Sequence, residues 1–477
     1  MPTFAEHFEL DKQQFELDFI NITLERDLPL FIDPFALSQR TDRWSQNSHR
    51  TLVTYFQQVV DFVRTGNKNS AFELLRFLQE PNETRLGYSS GKPQGAGIGS
   101  FQARQLLNAL SESSAVTTGF LNSLEETELM IEGISRDKIS DLTTNVIRSH
   151  LAEYTLEQCK LHGIPTRPAA VAPCYSIERG AWTNDYLNLP VVNNAPVLLV
   201  PKVIARFHLA YDHQKYYRSF AVEYLRTEAI EAGSSLVRTL KNGHQIVHKR
   251  DIEATFKCTK ANLYAFSREH PEVLEKYRRE LIRLEAQDAV HPISEEDEHL
   301  LAIALAKALV AIPSGSDRAT DYHNLMIGVL EFIFFPKLLF PQKEREIHDG
   351  RKRIDILMEN GARNGIFDYL HAVRNLPCAF VAIECKNYTS DVANPELDQL
   401  AGRFSPNRGK LGIMCCRRFE NRELFLERCK DTFRDDRGLI LCLDDAIILR
   451  LLKLIRNNQR HLVEIEINHL VDEIWLG

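Results

Sequence analysis

The sequence contains no pair of cysteines at the C-x-x-C spacing, although its 477 residues include nine cysteines. An odd number of cysteines without metal-ligand spacing argues against a disulfide framework and against a zinc knuckle. The opening stretch, MPTFAEHFELDKQQ, lacks the apolar core of a secretory signal. The most apolar stretch, NLMIGVLEFIFFPKLLF, contains Glu331, Pro336 and Lys337 and is too short to span a membrane. These absences predict a cytoplasmic protein with reduced thiols and no membrane contact.

An excess of positive charge is also missing. The 58 Lys and Arg residues are outnumbered by 65 Asp and Glu residues, which gives a formal net charge of -7. A surface that binds nucleic acid must therefore be local. Hydrophobic residues make up 44% and charged residues 26%, which is the balance of a folded globular protein and excludes a disordered or collagen-like chain.

Two common enzyme motifs are absent as well. The 16 histidines form no H-E-x-x-H pattern, which argues against a zinc protease. The glycine-rich segment 87–99 lacks the Walker A spacing, since Gly87 and Gly91 are too close together and Pro93 follows Lys92. The sequence therefore gives little support to a phosphate-binding loop.

The length and the hydrophobic pattern predict about two to three domains. Helical periodicity dominates residues 1–310, except for 165–205, where Pro, Val and Leu indicate short strands and a possible sub-boundary. Pro, Gly and Ser interrupt the helical pattern at 311–318, which we interpret as a linker. Helical and strand patterns then alternate over 319–477. The predicted fold is a mainly helical N-terminal region followed by an α/β domain with a mixed central sheet.

Two predicted strands of the C-terminal domain carry charged residues among apolar ones. RKRIDILMEN contains Asp355, and FVAIECKNY contains Glu384 and Lys386, which strand alternation places on one face. Charged groups at such positions are costly to bury unless they are paired or bind a metal. Two carboxylates and the backbone carbonyl of Cys385 would suit Mg²⁺, while the Lys386 ammonium could act on an attacking water. The alternative is a structural ion pair in a non-catalytic domain.

These residues and the order of the elements around them resemble the PD-(D/E)XK nuclease superfamily, which has a restriction-endonuclease-like fold. Asp355 and Glu384-x-Lys386 match its motif, and Gln399 lies on the following helix, where the family often has a glutamine. The resemblance covers the final third of the chain. It implies Mg²⁺ or Mn²⁺ bound by Asp355, Glu384 and the Cys385 carbonyl, with Lys386 and Gln399 as further site residues.

The sequence departs from this family on the first helix of the domain, where an acidic residue near the helix start often faces the metal. That early position is Asn324 in this chain, and Glu331 follows seven residues later on the same helical face. Either residue, or neither, could face the site; Glu331 is an additional candidate metal ligand, and the alternative is that it is a solvated helix residue.

A local basic segment follows the Glu-x-Lys strand. Residues 403–422 contain six basic residues and one acidic residue. We expect this segment to contact the phosphate backbone of a nucleic acid, although a solvated surface is an equally simple interpretation. Aromatic residues are sparse there, so a base-stacking platform is not indicated in this segment. The candidate nucleic-acid-binding residues are Arg403, Arg408, Lys410, Arg417 and Arg418.

Taken with the resemblance, these residues predict a metal-dependent endonuclease that acts on DNA rather than RNA. The resemblance further implies a bacterial antiphage defence or restriction effector, gated by its N-terminal region and acting with a companion defence protein. Cutting two strands favours a dimer or larger homo-oligomer. The alternatives are a non-catalytic nucleic-acid-binding protein and a sensor or assembly protein that uses a nuclease-like fold.

Overall fold

A computed structural model describes residues 2–25, 27–87, 99–119, 123–184, 186–242, 244–287, 295–347 and 352–476. Most of the glycine-rich segment singled out in the sequence lies outside these residues. Within them, no helix combines the length and the apolar character that a membrane span requires. Among the residues described, the chain contains both helices and strands, and a five-stranded sheet, larger than the others, lies in the C-terminal part.

The N-terminal part is mainly helical. Its longest helix begins where the Asp42 side chain accepts a hydrogen bond from the Ser45 backbone N–H, and it buries an apolar stripe that includes Leu52, Phe56 and Val59. The helices of this part are α1 (Phe4–His7), α2 (Pro34–Ser38), α3 (Arg43–Arg64), α4 (Lys68–Leu75), α5 (Gly99–Glu112), α6 (Ser114–Thr117), α7 (Thr127–Met130), α8 (Arg136–Val146), α9 (Arg148–His162), α10 (His213–Tyr216), α11 (Val222–Glu231), α12 (Lys249–Thr255), α13 (Lys260–Glu269) and α14 (Pro271–Gln287).

Short antiparallel strand pairs interrupt these helices. Most of them fall within 165–205, as the sequence predicts. The pairs are β1 with β8, β2 with β5, β3 with β4, β6 with β7 and β9 with β10. The strands are β1 (Phe31–Ile32), β2 (Arg167–Ala170), β3 (Cys174–Ser176), β4 (Ala181–Thr183), β5 (Tyr186–Leu189), β6 (Val191–Val192), β7 (Ala195–Pro196), β8 (Ala205–Arg206), β9 (Arg238–Thr239) and β10 (Gln245–Ile246).

The C-terminal part contains a five-stranded sheet in the order β11-β12-β13-β14-β15. The first three strands pair antiparallel and the last three pair parallel, so the predicted mixed central sheet is confirmed. Helix α15 (Glu295–Ala311) precedes this part, whose elements are α16 (Ala319–Phe334), β11 (Leu338–Ile347), β12 (Lys352–Asn360), α17 (Gly365–Asp368), β13 (Phe380–Lys386), α18 (Asn394–Ala401), β14 (Leu411–Cys416), α19 (Arg422–Arg434), β15 (Leu439–Asp444), α20 (Asp445–Arg456) and α21 (His461–Trp475).

Hydrophobic packing continues across the predicted linker. The core around the sheet also includes Leu301, Leu305 and Leu309 of α15, the helix that precedes residues 311–318. Phe335 and Phe340 of the C-terminal part belong to a second core, built mainly from N-terminal residues. The division at 311–318 stays a prediction, and the two parts share buried apolar surface on both sides of it.

Candidate functional site

The structure brings Asp355 and Glu384 together across neighbouring strands. Asp355 lies on β12 and Glu384 on β13, and the backbone N–H of Cys385 donates to Asp355 Oδ2 over 3.1 Å. The Glu384 side chain is fully buried. Burial first, and then the neighbouring charge of Asp355, raises the pKa of Glu384 to about 7. The half-buried Asp355 and the fully buried Glu384 repel each other as carboxylates, so a cation at this position would stabilise both.

Lys386 and Gln399 complete a closed hydrogen-bonded group with Glu384. Lys386 Nζ lies 3.3 Å from Glu384 Oε2 and 3.3 Å from Gln399 Oε1. Gln399 Nε2 donates to the same carboxylate oxygen over 3.1 Å. Burial opposes the charge on Lys386, but the carboxylates of Glu384 and Asp355 outweigh it and raise the Lys386 pKa. Gln399 of α18 therefore holds both charged side chains in place.

Two further side chains reach this group. Arg403 Nε lies 3.6 Å from Glu384 Oε1, and the Arg403 side chain is only 11% exposed. His323 of α16 places its Nε2 atom 3.1 Å from the Asp355 carbonyl oxygen. The sequence predicts Arg403 as a phosphate contact and, although His323 lies on the first helix of the domain, favours a surface role for it. The docking of α16 and α18 against the sheet, which no local pattern encodes, brings both side chains here.

Glu331 belongs to a different buried group. Its Oε1 atom lies 2.8 Å from Lys202 Nζ, and both side chains are almost fully inaccessible to solvent. Asp18, another buried carboxyl, interacts electrostatically with the same pair. The other candidate on this helix, Asn324, accepts a hydrogen bond from Lys343 Nζ over 2.8 Å. In the described contacts, Glu331 and Asn324 thus interact with residues other than Asp355 and Glu384.

The donors around Asp355 and Glu384 fit a divalent cation in their chemistry. Glu384 Oε1 is buried and accepts no hydrogen bond in the described structure. Hard carboxylate oxygens are the ligands that Mg²⁺ and Mn²⁺ prefer. The Cys385 thiol interacts with Cys415, so its backbone carbonyl is the group left for a metal. Over the described residues, no three His, Cys, Asp or Glu side chains form a metal-binding group, which leaves two carboxylates as the side-chain donors.

The predicted nucleic-acid-binding residues do not form one surface. β14 runs parallel to β13, with Val381 opposite Leu411 and Lys386 opposite Cys416. Arg408 and Lys410 precede β14, whereas Arg417 and Arg418 follow it. Arg408 and Lys410 therefore lie at the opposite end of the sheet from Lys386, whereas Arg417 and Arg418 lie at the same end, as does Arg403 through its contact with Glu384.

Several of these basic side chains are also engaged by protein groups. Arg417 Nε lies 3.1 Å from Asp445, and Lys410 Nζ lies 2.8 Å from Asp436. Arg408 donates to the Arg403 carbonyl oxygen over 3.1 and 3.2 Å. Arg418 is the most exposed of the set, with its guanidinium 3.1 Å from Glu420. Arg418 is consequently the side chain most available to a strand that approaches Lys386.

Comparison with known proteins adds one finding. Residues 9–212 match the model of a family described as a domain of unknown function (DUF8370). This match covers less than half of the chain and ends well before Asp355. No curated protein and no solved structure matches the chain.

Proposed function

We propose that this protein is a metal-dependent nuclease that hydrolyses phosphodiester bonds. The observation that carries the proposal is the grouping of Asp355, Glu384 and Lys386 on adjacent strands, with Gln399 bonded to two of them. Buried and half-buried charges that lie beside each other and are only partly neutralised are typical of active sites. The same residues resemble the PD-(D/E)XK motif, which supports the same chemistry.

In this proposal, Asp355 and Glu384 hold Mg²⁺ or Mn²⁺ together with the carbonyl of Cys385. The bound metal supplies a Lewis acid for the phosphate and lowers the pKa of a water. Lys386 keeps its positive charge beside the two carboxylates, orients the attacking water and stabilises negative charge that develops on the phosphate. Gln399 restrains the Lys386 ammonium and the Glu384 carboxylate by bonding to both.

Arg403 is assigned a different role from the one its sequence position indicates. Its guanidinium lies near Glu384 Oε1, the carboxylate oxygen that accepts no hydrogen bond in the described structure, and little of the Arg403 side chain is exposed. A cation at that place offsets the charge of two carboxylates before a metal binds. Arg403 is therefore a positioning residue for Glu384, and its effect on metal affinity distinguishes this from a phosphate contact.

The substrate and the biological role rest on the resemblance. DNA is favoured over RNA, and the activity is that of an endonuclease in bacterial antiphage defence or restriction, within the cytoplasm. The N-terminal region gates the activity, and the active form is a dimer or larger, acting with a companion defence protein. Fold-level analogy carries less weight than the chemistry of the site.

Incubation of the purified chain with plasmid, linear duplex, single-stranded DNA and RNA tests the proposal. Mg²⁺, Mn²⁺ and EDTA are compared, and Lys386→Ala is assayed beside Lys453→Ala, which removes an exposed lysine of α20. We expect metal-dependent cutting that is lost in Lys386→Ala and kept in Lys453→Ala. Cutting that survives Lys386→Ala would refute the assignment of this site.

A non-catalytic nucleic-acid-binding protein is the second candidate. It gives salt-dependent binding without cutting, and Lys386→Ala leaves its affinity unchanged. Isothermal titration of Mn²⁺ separates the two candidates even when no activity is seen. Mn²⁺ binding that is lost in Asp355→Asn favours a nuclease that awaits an activator, whereas no binding favours the non-catalytic protein.

A further inference from the structure

A cavity of about 540 Å³ lies between the N-terminal helices and the sheet that carries Asp355 and Glu384. Its volume is within the range of small-molecule sites, about 300–1,000 Å³. Leu357, Glu359 and Phe380 contribute from the sheet, and α3 and α9 contribute from the N-terminal part. The cavity is therefore built jointly by two parts of the chain that are far apart in sequence.

The cavity lies on the same face of the sheet as the proposed catalytic carboxylates. Asp355, Leu357 and Glu359 alternate along β12 and so point to one side. Glu359 is paired with Phe380 on β13, and Glu384 lies on the same side, four residues further along that strand. Four residues of strand span about 13 Å, so a bound polymer could occupy the cavity and reach the carboxylates.

Three aromatic rings line one wall of this cavity, where Tyr154 and Phe340 are almost fully buried and Trp44 is half-buried. The ring centroid of Trp44 lies 5.9 Å from that of Tyr154 and 5.6 Å from that of Phe340, and the latter two are 5.8 Å apart. The indole N–H of Trp44 donates to the carbonyl of His150 over 3.1 Å, which fixes the orientation of the ring. A fixed aromatic wall is suited to stacking against a planar heterocycle.

The charged groups of the lining are balanced. Its arginines are Arg43, Arg345 and Arg408, and its carboxylic acids are Glu153, Glu157 and Glu359. A polyphosphate would require a surplus of positive charge that this lining does not have. Guanidinium groups beside carboxyl groups instead suit one phosphate together with a base that carries both hydrogen-bond donors and acceptors.

We propose that this cavity binds one unpaired nucleotide of the nucleic-acid substrate, with its base against Trp44 and its phosphate on Arg43 and Arg345. The inference rests on the proposed nuclease function and specifies its substrate, since a base enters such a cavity only when it is unpaired. Single-stranded nucleic acid, or a strand opened beside the cleavage position, is thus the preferred ligand. The N-terminal part contributes directly to substrate binding through α3.

Equilibrium binding in EDTA tests this proposal without any cleavage. Fluorescein-labelled 12-mers are compared by anisotropy as single-stranded DNA, single-stranded RNA and duplex DNA, with the full chain and four variants. Trp44→Leu and Arg345→Gln remove the proposed contacts, and Trp44→Phe keeps an aromatic ring. Arg250→Gln is the control, because Arg250 is 74% exposed and lies outside the cavity lining.

We expect single strands to bind at least about fivefold more tightly than duplex, which corresponds to one stacked base. Trp44→Leu and Arg345→Gln each weaken single-strand binding by about fivefold or more, while Trp44→Phe and Arg250→Gln leave it nearly unchanged. Arg345 is exposed, so Arg345→Gln reports on binding even where Trp44→Leu disturbs packing. Equal affinity for duplex and single strand, or Arg345→Gln binding like Arg250→Gln, overturns the proposal.

A calorimetric titration with dAMP and dCMP distinguishes two possible ligands of the cavity, a nucleotide within a strand and a free nucleotide. Mononucleotide binding that depends on Trp44, without any strand binding, would overturn the substrate assignment and identify a site for a free nucleotide. Another outcome is that the protein binds single strands in a way that depends on Trp44 and cuts nothing with Mg²⁺ or Mn²⁺. That result supports the nucleotide site and counts only against the proposed nuclease activity. The two proposals therefore fail independently.

Discussion

Lys202 and Glu331 form a buried ion pair, 2.8 Å long, between the N-terminal part and the first helix of the C-terminal part. Lys202 Nζ also donates to the carbonyl oxygen of Leu17 over 2.7 Å and lies 4.2 Å from the ring centroid of Phe335. Burial, and then the charge of Glu331, raises the pKa of the nearby Asp18 carboxyl well above its ordinary value. One ammonium thus serves two buried carboxyl groups, and its removal takes away the cation that contacts Glu331 directly, which leaves the more distant charge of Lys12.

Lys202→Met is expected to destabilise the folded chain by about 3–5 kcal/mol, the cost of breaking a buried pair from one side. The measurement is the midpoint of urea unfolding, with Lys249→Met as the control, since the Lys249 side chain is 53% exposed. Replacing Glu331 by Leu in the Lys202→Met background should recover part of the loss, because one uncompensated carboxylate is then gone. An unchanged midpoint for Lys202→Met would contradict the buried pair.

Glu359→Gln is expected to make stability less dependent on pH. Burial, and then the charge of Asp42, raises the pKa of Glu359 to about 7 from 4.5. Between these two values the unfolded chain loses the proton while the folded chain keeps it, so rising pH destabilises the folded protein. At pH 8 the variant should be more stable by at most about 3 kcal/mol, and at pH 4.5 the difference should vanish. Thermal melting of both proteins from pH 4.5 to 8 measures this, and a difference that does not vary with pH would argue against it.

Gln399→Leu is expected to lower kcat by about 10- to 100-fold, because Lys386 and Glu384 lose the amide that holds both of them. Substrate affinity should change by less than about twofold if Gln399 acts through these side chains alone. Asp398→Asn is the matched control, since this neighbour on the same helix is 60% exposed and pairs with Arg437. A rise in KM with an unchanged kcat would indicate instead that Gln399 binds the substrate.

Gly409→Ala is expected to destabilise the chain by about 2 kcal/mol or more. Gly409 has a φ of +139°, which side-chain-bearing residues rarely adopt, and a Cβ atom there would overlap the carbonyl oxygen of Phe380. Gly233→Ala is the comparison, since Gly233 also has a positive φ but its Cβ would meet no atom within 4 Å. Thermal unfolding should show a clearly larger loss for Gly409→Ala, and equal losses would mean that only backbone conformation matters.

Much of the C-terminal part follows from local patterns. The hydrophobic run and alternation of FVAIECK predict the strand that contains Glu384, and the structure has β13 at Phe380–Lys386. The helix predicted from the start of the domain is confirmed as Ala319–Phe334. The three strands expected after this helix are confirmed as β11, β12 and β13, whereas the two terminal helices α20 and α21 are not predicted by the same patterns. Their apolar residues belong to the core, and the spacing of apolar residues alone does not decide whether such a segment is a helix or a strand.

The candidate site was predicted only in part. The spacing of Glu384 and Lys386 places both on one face, and the following helix offers Gln399. By contrast, the contact of Arg403 with Glu384 depends on how α18 docks, and the pairing of Glu331 with Lys202 depends on packing between residues that are far apart in sequence. Periodicity gives the face of a helix that is buried, and it does not give the partner on the other side.

The sequence by itself determined the strands, their alternating faces and the presence of two carboxylates and a lysine in the C-terminal part, because these depend on neighbours a few residues away. Only the tertiary structure decided that Asp355 lies beside Glu384, that the basic segment is divided between opposite ends of β14, and that Trp44, Tyr154 and Phe340 share one cavity wall. These relations depend on strand order and helix docking, which are set by the burial of the whole chain's apolar surface.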